Sequence, residues 1–178
     1  HYVVPVKPAP VTPAPAATLV LIRDRPGGGI ECLLMQRHQK SKFAAGAFVF
    51  PGGKIETDDN PDDAAAWCRG LDMATASRRL NLENAPRTAL GFWIGAIRET
   101  FEEAGLLLAV GADGRDAAVT AARFAEYRRA CQSDNRAFWD LLRKEGLRLA
   151  TDRLVYFAHW ITPEDQPLRF DTRFFAAP

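Results

Sequence analysis

Three glutamates crowd the stretch Arg98-Glu99-Thr100-Phe101-Glu102-Glu103-Ala104-Gly105-Leu106. On a helix, Glu99, Glu102 and Glu103 fall at i, i+3 and i+4, so their carboxylates share one face. Gly105 suits the left-handed position that ends a helix, which puts the cluster in the last turns. That is the wrong end for negative charge, because the macrodipole favours cations there. Like charges at this spacing cost roughly 0.2–0.5 kcal/mol, and the dipole adds about 0.3–1 kcal/mol. Arg98 gives Glu102 an i+4 partner in the weaker orientation, and one arginine among three glutamates leaves the site acidic. A hard divalent cation resolves the conflict, and Mg²⁺ prefers carboxylate oxygen together with substrate phosphate. A short Glu-Glu run is ordinarily a solvated helix face, so the cluster needs a second feature beside it.

That feature lies upstream, in Phe50-Pro51-Gly52-Gly53-Lys54-Ile55-Glu56. Adjacent glycines after a short apolar strand (Ala47 to Phe50) let the backbone turn tightly and approach a ligand without Cβ interference. Plain hairpins carry Gly-Gly pairs too, so this signal is weak by itself.

The elements that must position these residues read as follows. Residues 1–16 carry five of the twelve prolines (Pro5, Pro8, Pro10, Pro13, Pro15) and read as an extended, polyproline-like arm. Ala17 to Arg23 and Ile30 to Arg37 read as strands, joined by the turn chemistry of Arg25-Pro26-Gly27-Gly28-Gly29 into a hairpin. Arg37 to Lys42 is a basic loop. The segment at about 60–87 behaves as an insertion with acidic turn residues, a short helix over Asp63 to Arg69 and another over Ala74 to Leu80. The central helix runs from about Thr88 to Leu106 after Pro86, with Leu90, Ile94, Ile97, Phe101 and Ala104 as its core-facing stripe. Gly91 and Gly95 within it each cost roughly 1 kcal/mol against alanine, which implies close packing against a neighbour. Asp116 to Cys131 and Asn135 to Lys144 read as helices, and Arg153 to Ile161 and Arg169 to Ala176 as strands. The domain is therefore expected over 17–178, following the arm.

At 178 residues the chain is long enough for one domain with a real core. Its formal net charge of +1 gives no reason to expect a nucleic-acid or membrane surface as partner. Three scattered cysteines exclude a disulfide framework or a zinc knuckle and fit reduced thiols in the cytoplasm. No apolar run approaches the roughly 20 residues of a membrane span. His38 and His159 read as ordinary loop and strand residues, and Arg169, Asp171 and Arg173 as a structural ion-pair set.

Gly53 together with the Arg98 to Leu106 stretch resembles the Nudix hydrolase signature, G-x5-E-x7-R-E-U-x-E-E-x-G-U, with U a bulky apolar residue. The second half matches in register at Arg98, Glu99, Glu102, Glu103, Gly105 and Leu106. Asp59 stands where the signature has its first Glu, and Thr100 takes the first U. The 38 residues from Asn60 to Ile97 stand where the usual pattern has seven. Loop-closure entropy grows slowly with length, so the two halves can still meet if the excursion folds on its own. A long insertion in the box, followed by Trp160-Ile161-Thr162-Pro163 and Arg169 to Phe175, is similar to a branch of the family that includes coenzyme A diphosphatases. The resemblance covers about residues 17–59 and 88–177.

The resemblance implies an α/β/α sandwich with a mixed sheet and metal-dependent hydrolysis of a diphosphate linkage, with coenzyme A or an acyl derivative as first substrate. It implies Mg²⁺ or Mn²⁺ held by Glu99, Glu102 and Glu103, with a carbonyl of the Gly52-Gly53 turn as a further ligand. Arg98 would orient a carboxylate, and Arg37 and Lys42 would grip substrate phosphates. Other Nudix substrates, ADP-ribose or a dinucleotide, and a non-catalytic nucleotide-binding module are the alternatives. The family fold continues into a further helix where this sequence stops after a strand, so a C-terminal truncation or a homodimer covering the sheet is expected.

Overall fold

The computed structural model describes residues 11–37, 39 and 46–178. Lys42, His38, Pro5, Pro8 and Pro10, all named above, lie outside the described residues. In chain order the strands are β1 (Ala14–Asp24), β2 (Ile30–Cys32), β3 (Met35–Gln36), β4 (Phe48–Val49) and β5 (Gly52–Lys54). They continue with β6 (Ala109–Val110), β7 (Arg148–Leu149), β8 (Val155–Ile161) and β9 (Phe170–Ala177). The helices are α1 (Met73–Leu80), α2 (Pro86–Ala104), α3 (Ala122–Ser133) and α4 (Ala137–Glu145).

β1 organises a mixed sheet. One of its edges runs parallel to β9, from Ala14 opposite Phe170 to Leu21 opposite Ala177. Its other edge is shared by two antiparallel partners, β5 at Ala16 to Thr18 and β2 at Ile22 to Asp24. β8 pairs with the far side of β9 and forms the outer edge. Successive strand residues face opposite ways, so Ala17 and Leu19 turn one face of β1 inward and are fully buried there. α2 packs on this sheet, and α1 and α3 pack on α2. The expected α/β class with a mixed sheet is the one observed.

α2 is buried along nearly its whole length, including Trp93, Ile94, Ile97 and Phe101. A helix apolar on most sides belongs inside a fold. It starts with Pro86 in the first turn, where the missing amide costs nothing, and ends at Gly105 with φ 74°. Within it the two glycines are contact points. A Cβ on Gly91 would lie 2.1 Å from Asn60 Oδ1, and one on Gly95 would lie 2.6 Å from Ile55 Cδ1. The close packing expected at these glycines is thus the docking of the 55–60 turn onto α2.

Several boundaries differ from expectation. β1 begins at Ala14 rather than Ala17, so Pro13 leads directly into it and Pro15 lies within it, not in an arm. Pro15 is tolerated because its carbonyl still accepts from the Ile55 amide at 2.9 Å, while its absent amide falls just beyond the β5 register. The run from Ile30 to Arg37 breaks into β2 and β3, and the first insertion helix is only a 3₁₀ turn, Ala64–Trp67. α3 starts at Ala122 rather than Asp116, because Asp116 bridges to Val110 and Ala117 donates to the Ala109 carbonyl. β6 and β7 were not expected; two residues each are too short to show a period.

The inserted segment is tied down. Asp72 caps α1 through the Thr75 amide at 2.6 Å. Arg69 pairs with Asp152 at 2.7 Å, and the Arg69 amide donates to Leu149. Among the described residues, no helix is long and apolar enough to cross a membrane.

Candidate active site

The halves of the site meet through one buried ion pair. Asp59 ends the 3₁₀ turn Thr57–Asp59, which begins after Glu56. One of its oxygens accepts from Arg98 Nε at 2.7 Å; the other accepts from Arg98 Nη2 at 3.0 Å and from the Glu56 amide at 2.9 Å. Both side chains are buried, at 1% and 2% exposure. Arg98 also donates to the Lys54 carbonyl at 3.1 Å, to Glu99 at 3.0 Å and to Glu102 at 3.1 Å. A planar guanidinium fork suits such a bidentate, many-partnered role. Asp59, noted in the sequence only as a departure from a glutamate, is therefore the residue that closes the insertion.

Outward from this pair lie the glutamates. Glu99, Glu102 and Glu103 line a cleft of about 600 Å³, with Met35, Arg37 and Val49 on the facing wall. The Gly52 amide donates to Glu103 at 2.9 Å. Gly53 faces Glu99 so closely that a Cβ there would lie 2.5 Å from the Glu99 carboxyl carbon. Gly52 has another duty: a Cβ on it would meet the Ala17 carbonyl at 2.4 Å. The Gly-Gly pair thus lets β5 lie close beside β1 at one residue and against the Glu99 carboxylate at the other.

Burial pushes the Glu99 carboxyl up to about 7, against the pull of Arg98 and with repulsion from Glu102 added. Glu102 and Glu103 are also held above the usual carboxylate range, mainly by desolvation. Arg98 opposes this at Glu102, and the Gly52 amide and the Arg37 charge oppose it at Glu103.

The unfavourable end of α2 is answered from outside the motif. Arg128 on α3 donates through Nε to the Glu102 carbonyl at 2.8 Å and through Nη2 to the Glu103 carbonyl. Gln132 donates to the Glu102 carbonyl at 2.7 Å and lines the cleft. A cation at a helix C-terminus offsets the dipole and satisfies its last carbonyls. Sequence reading missed both residues; Arg128 and Gln132 at i, i+4 on one helix was the only trace.

Of the expected site residues, Arg98, Glu99, Glu102, Glu103, Arg37, Gly52 and Gly53 gather at this cleft, and Lys42 lies outside the described residues. As their side chains stand, no three His, Cys, Asp or Glu groups among the described residues converge as metal ligands. Arg98 draws Glu99 and Glu102 toward itself, and the Gly52 amide holds Glu103. The donor set fits a hard cation in chemistry: it is all oxygen, and Asp59, Glu99 and Glu102 all share the single Arg98 guanidinium. Of the set expected on β9, Arg173 bonds Asp171, while Arg169 donates instead to the Thr162 and Val11 carbonyls; His159, expected as an ordinary strand residue, pairs with Asp171 at 2.5 Å.

Comparison with known proteins agrees with this geometry. The NUDT19 Nudix domain model matches residues 72–177, and the NUDIX domain model matches residues 12–66. The acyl-coenzyme A diphosphatase NUDT19 of Gallus gallus is 33% identical over 181 residues, covering 82% of this chain and 47% of that protein. Its namesake from Xenopus laevis is 29% identical over 178 residues, covering 82% and 46%. The chain thus spans about half the length of the curated relatives it matches. A crystal structure of a NUDIX hydrolase from Alicyclobacillus acidocaldarius superposes with a TM-score of 0.73 at 28% identity, covering 93% of this chain and 69% of that one. With a Nudix model matching more than half of its residues, across the insertion's second part, the signature helix and the closing strand of the sheet, the chain belongs to the Nudix hydrolase family.

Proposed function

We propose that this chain hydrolyses the diphosphate bond of coenzyme A or an acyl-coenzyme A, with Mg²⁺ or Mn²⁺ as cofactor. The observation that carries the reading is the Asp59–Arg98 pair, which brings the Gly52-Gly53 turn and the three glutamates to one cleft despite the insertion. The names of the chicken and frog relatives support the substrate. Nudix hydrolases generally need a divalent metal.

Hydrolysis adds water across a P–O–P link: the water oxygen bonds phosphorus, the bridging P–O bond breaks, and two phosphate monoesters leave. The transition state gathers charge on phosphoryl oxygens, so positioning and charge stabilisation do most of the work. A bound divalent ion supplies neutralisation of those oxygens and a more acidic water. Glu99, Glu102 and Glu103 would hold it, with a carbonyl of the Gly52-Gly53 turn beside them. Glu99, whose carboxyl is raised to about 7, is the group suited to accept the proton of the attacking water. Arg98 orients Glu99 and Glu102, and Arg37 and Lys42 bind substrate phosphate. A reducing, cytoplasmic setting suits the free thiols of Cys32, Cys68 and Cys131.

The test is product release from coenzyme A, acyl-coenzyme A, ADP-ribose, NADH and dinucleoside polyphosphates, with Mg²⁺ and with EDTA. Metal-dependent release of a phosphopantetheine product is expected, and Glu102→Gln and Glu103→Gln should each lower turnover by about 10³-fold or more. Full activity in either variant would sink the metal assignment. Cleavage confined to another compound would discard the substrate.

A further inference from the structure

A second pocket, of about 400 Å³, has an apolar part formed by Leu21, Leu33, Leu106, Leu107, Leu108 and Val119, and its lining residues neighbour those of the acidic cleft along the chain. Two pieces of chain line both spaces. On one wall, residues 31, 33, 35 and 37 are half-buried while 32, 34 and 36 are exposed, so these odd positions share a face of an extended segment. Along that face Arg37 and Met35 border the acidic cleft, and Leu33 borders the apolar pocket. On the other wall, Glu99, Glu102 and Glu103 border the cleft, and Leu106 to Leu108, just past the Gly105 turn, border the pocket. Glu31, Arg23, Asp116 and Arg153 also line the pocket, so its apolar part is the patch where Leu33 and Leu106 to Leu108 follow the cleft residues Met35 and Glu103 along the two walls. Such a groove complements a ligand that is a diphosphate at one end and apolar at the other.

We infer that the pocket beside Leu33 and Val119 is the subsite for the apolar tail of the substrate, an acyl chain carried on the pantetheine arm. This rests on the diphosphatase reading above and deepens it. The span agrees. Leu33 lies four residues from Arg37, about 13 Å along an extended chain. A pantetheine arm has about twelve bonds between its phosphate oxygen and its sulfur, the length of four peptide units, or about 13–14 Å. A thioester would therefore sit at Leu33 when the diphosphate sits at Arg37, and the acyl chain would enter the pocket. Its volume lies in the ordinary range for small-ligand sites.

The first experiment compares kcat/KM for acetyl- and octanoyl-coenzyme A, with the intact chain and with Val119→Trp, which fills the pocket. Octanoyl-coenzyme A should be favoured about tenfold or more by the intact chain, in keeping with burial of several methylenes. That ratio should collapse toward one in Val119→Trp. Cys32 gives a second readout that needs no variant. It lies exposed on the pocket rim, whereas Cys68 and Cys131 are buried with thiols pushed up to about 12 by that burial. Octanoyl-coenzyme A should slow maleimide alkylation of Cys32 at least about fivefold more than acetyl-coenzyme A does. Equal kcat/KM for the two esters, or a preference that survives Val119→Trp, or equal protection of Cys32, would overturn the subsite and leave the diphosphatase reading intact. Failure to cleave any coenzyme A ester would overturn that reading and the subsite with it.

Discussion

Two layers of the candidate site differ in how they are held. The inner layer, Asp59 and Arg98, is nearly inaccessible to solvent, and every oxygen of the carboxylate is bonded. The outer layer, Glu99, Glu102 and Glu103, faces a cleft; Glu99 and Glu102 share a cation already committed to Asp59, and Glu103 is held by the Gly52 amide. The inner layer is satisfied without any partner from outside. The outer layer is not, and groups left under-compensated inside a fold that is otherwise satisfied are where ligand binding is to be sought. A division of this kind splits one arginine in two: its Nε and Nη2 edge bonds Asp59 and the Lys54 carbonyl, and its Nη1 edge bonds Glu99 and Glu102.

The contrast can be broken most severely from within. Asp59→Ala leaves Arg98 buried without its main counter-charge, and loss of one partner from a buried pair costs about 3–5 kcal/mol. Urea melts should show a loss of that size. A change under 1 kcal/mol would mean that the lock is not a lock. The adjacent glycines sharpen the comparison. Gly52→Ala drives a Cβ into the Ala17 carbonyl and the Thr18 backbone, neither of which can yield, so stability should fall by roughly 1–3 kcal/mol. In Gly53→Ala the Cβ meets only the end of the Glu99 side chain, which can swing away. Turnover should then drop about tenfold or more, with the melting curve almost unmoved. If the two variants behave alike, the separation of duties fails.

The smallest expected effect is on pH dependence. A carboxyl raised from 4.5 to about 7 holds its proton in the folded state longer than in the unfolded chain. The stability it contributes is present below pH 4.5 and is lost as pH climbs toward 7. In EDTA the melting temperature of the intact chain should therefore fall more steeply between those limits than that of Glu99→Gln. Parallel profiles would remove Glu99 as the titrating group.

What the sequence disclosed follows from what is local. The carboxylate cluster on α2, its glycine stop and the Gly91 and Gly95 contacts all arise from spacing within one helix, and period arguments reach them. The identity of what those glycines touch did not, because Asn60 and Ile55 come from a separate turn. Asp59 read as a weakened signature position for the same reason: its partner is 39 residues away and only the folded chain brings them together. Arg128 and Gln132 were out of reach because a surface helix says nothing of which carbonyls it will cover. Strand β1 extended past its expected start because its Pro15 carbonyl found a partner in Ile55, a tertiary contact that overrides local proline rules.

The distance along the chain between the halves of the signature is, on these terms, not a physical requirement. Stretching a closing loop from seven residues to 38 adds only about 1.5 kcal/mol by the (3/2)RT ln n scaling. The excursion offsets part of that by packing α1 on α2 and pairing Arg69 with Asp152. A motif defined by counting residues is in this respect a shadow of one defined by contact. The part whose length is open to change is the stretch 61–85 ahead of α2, so long as a carboxylate at its foot still reaches the arginine on the helix; 86–97 belong to the buried helix itself.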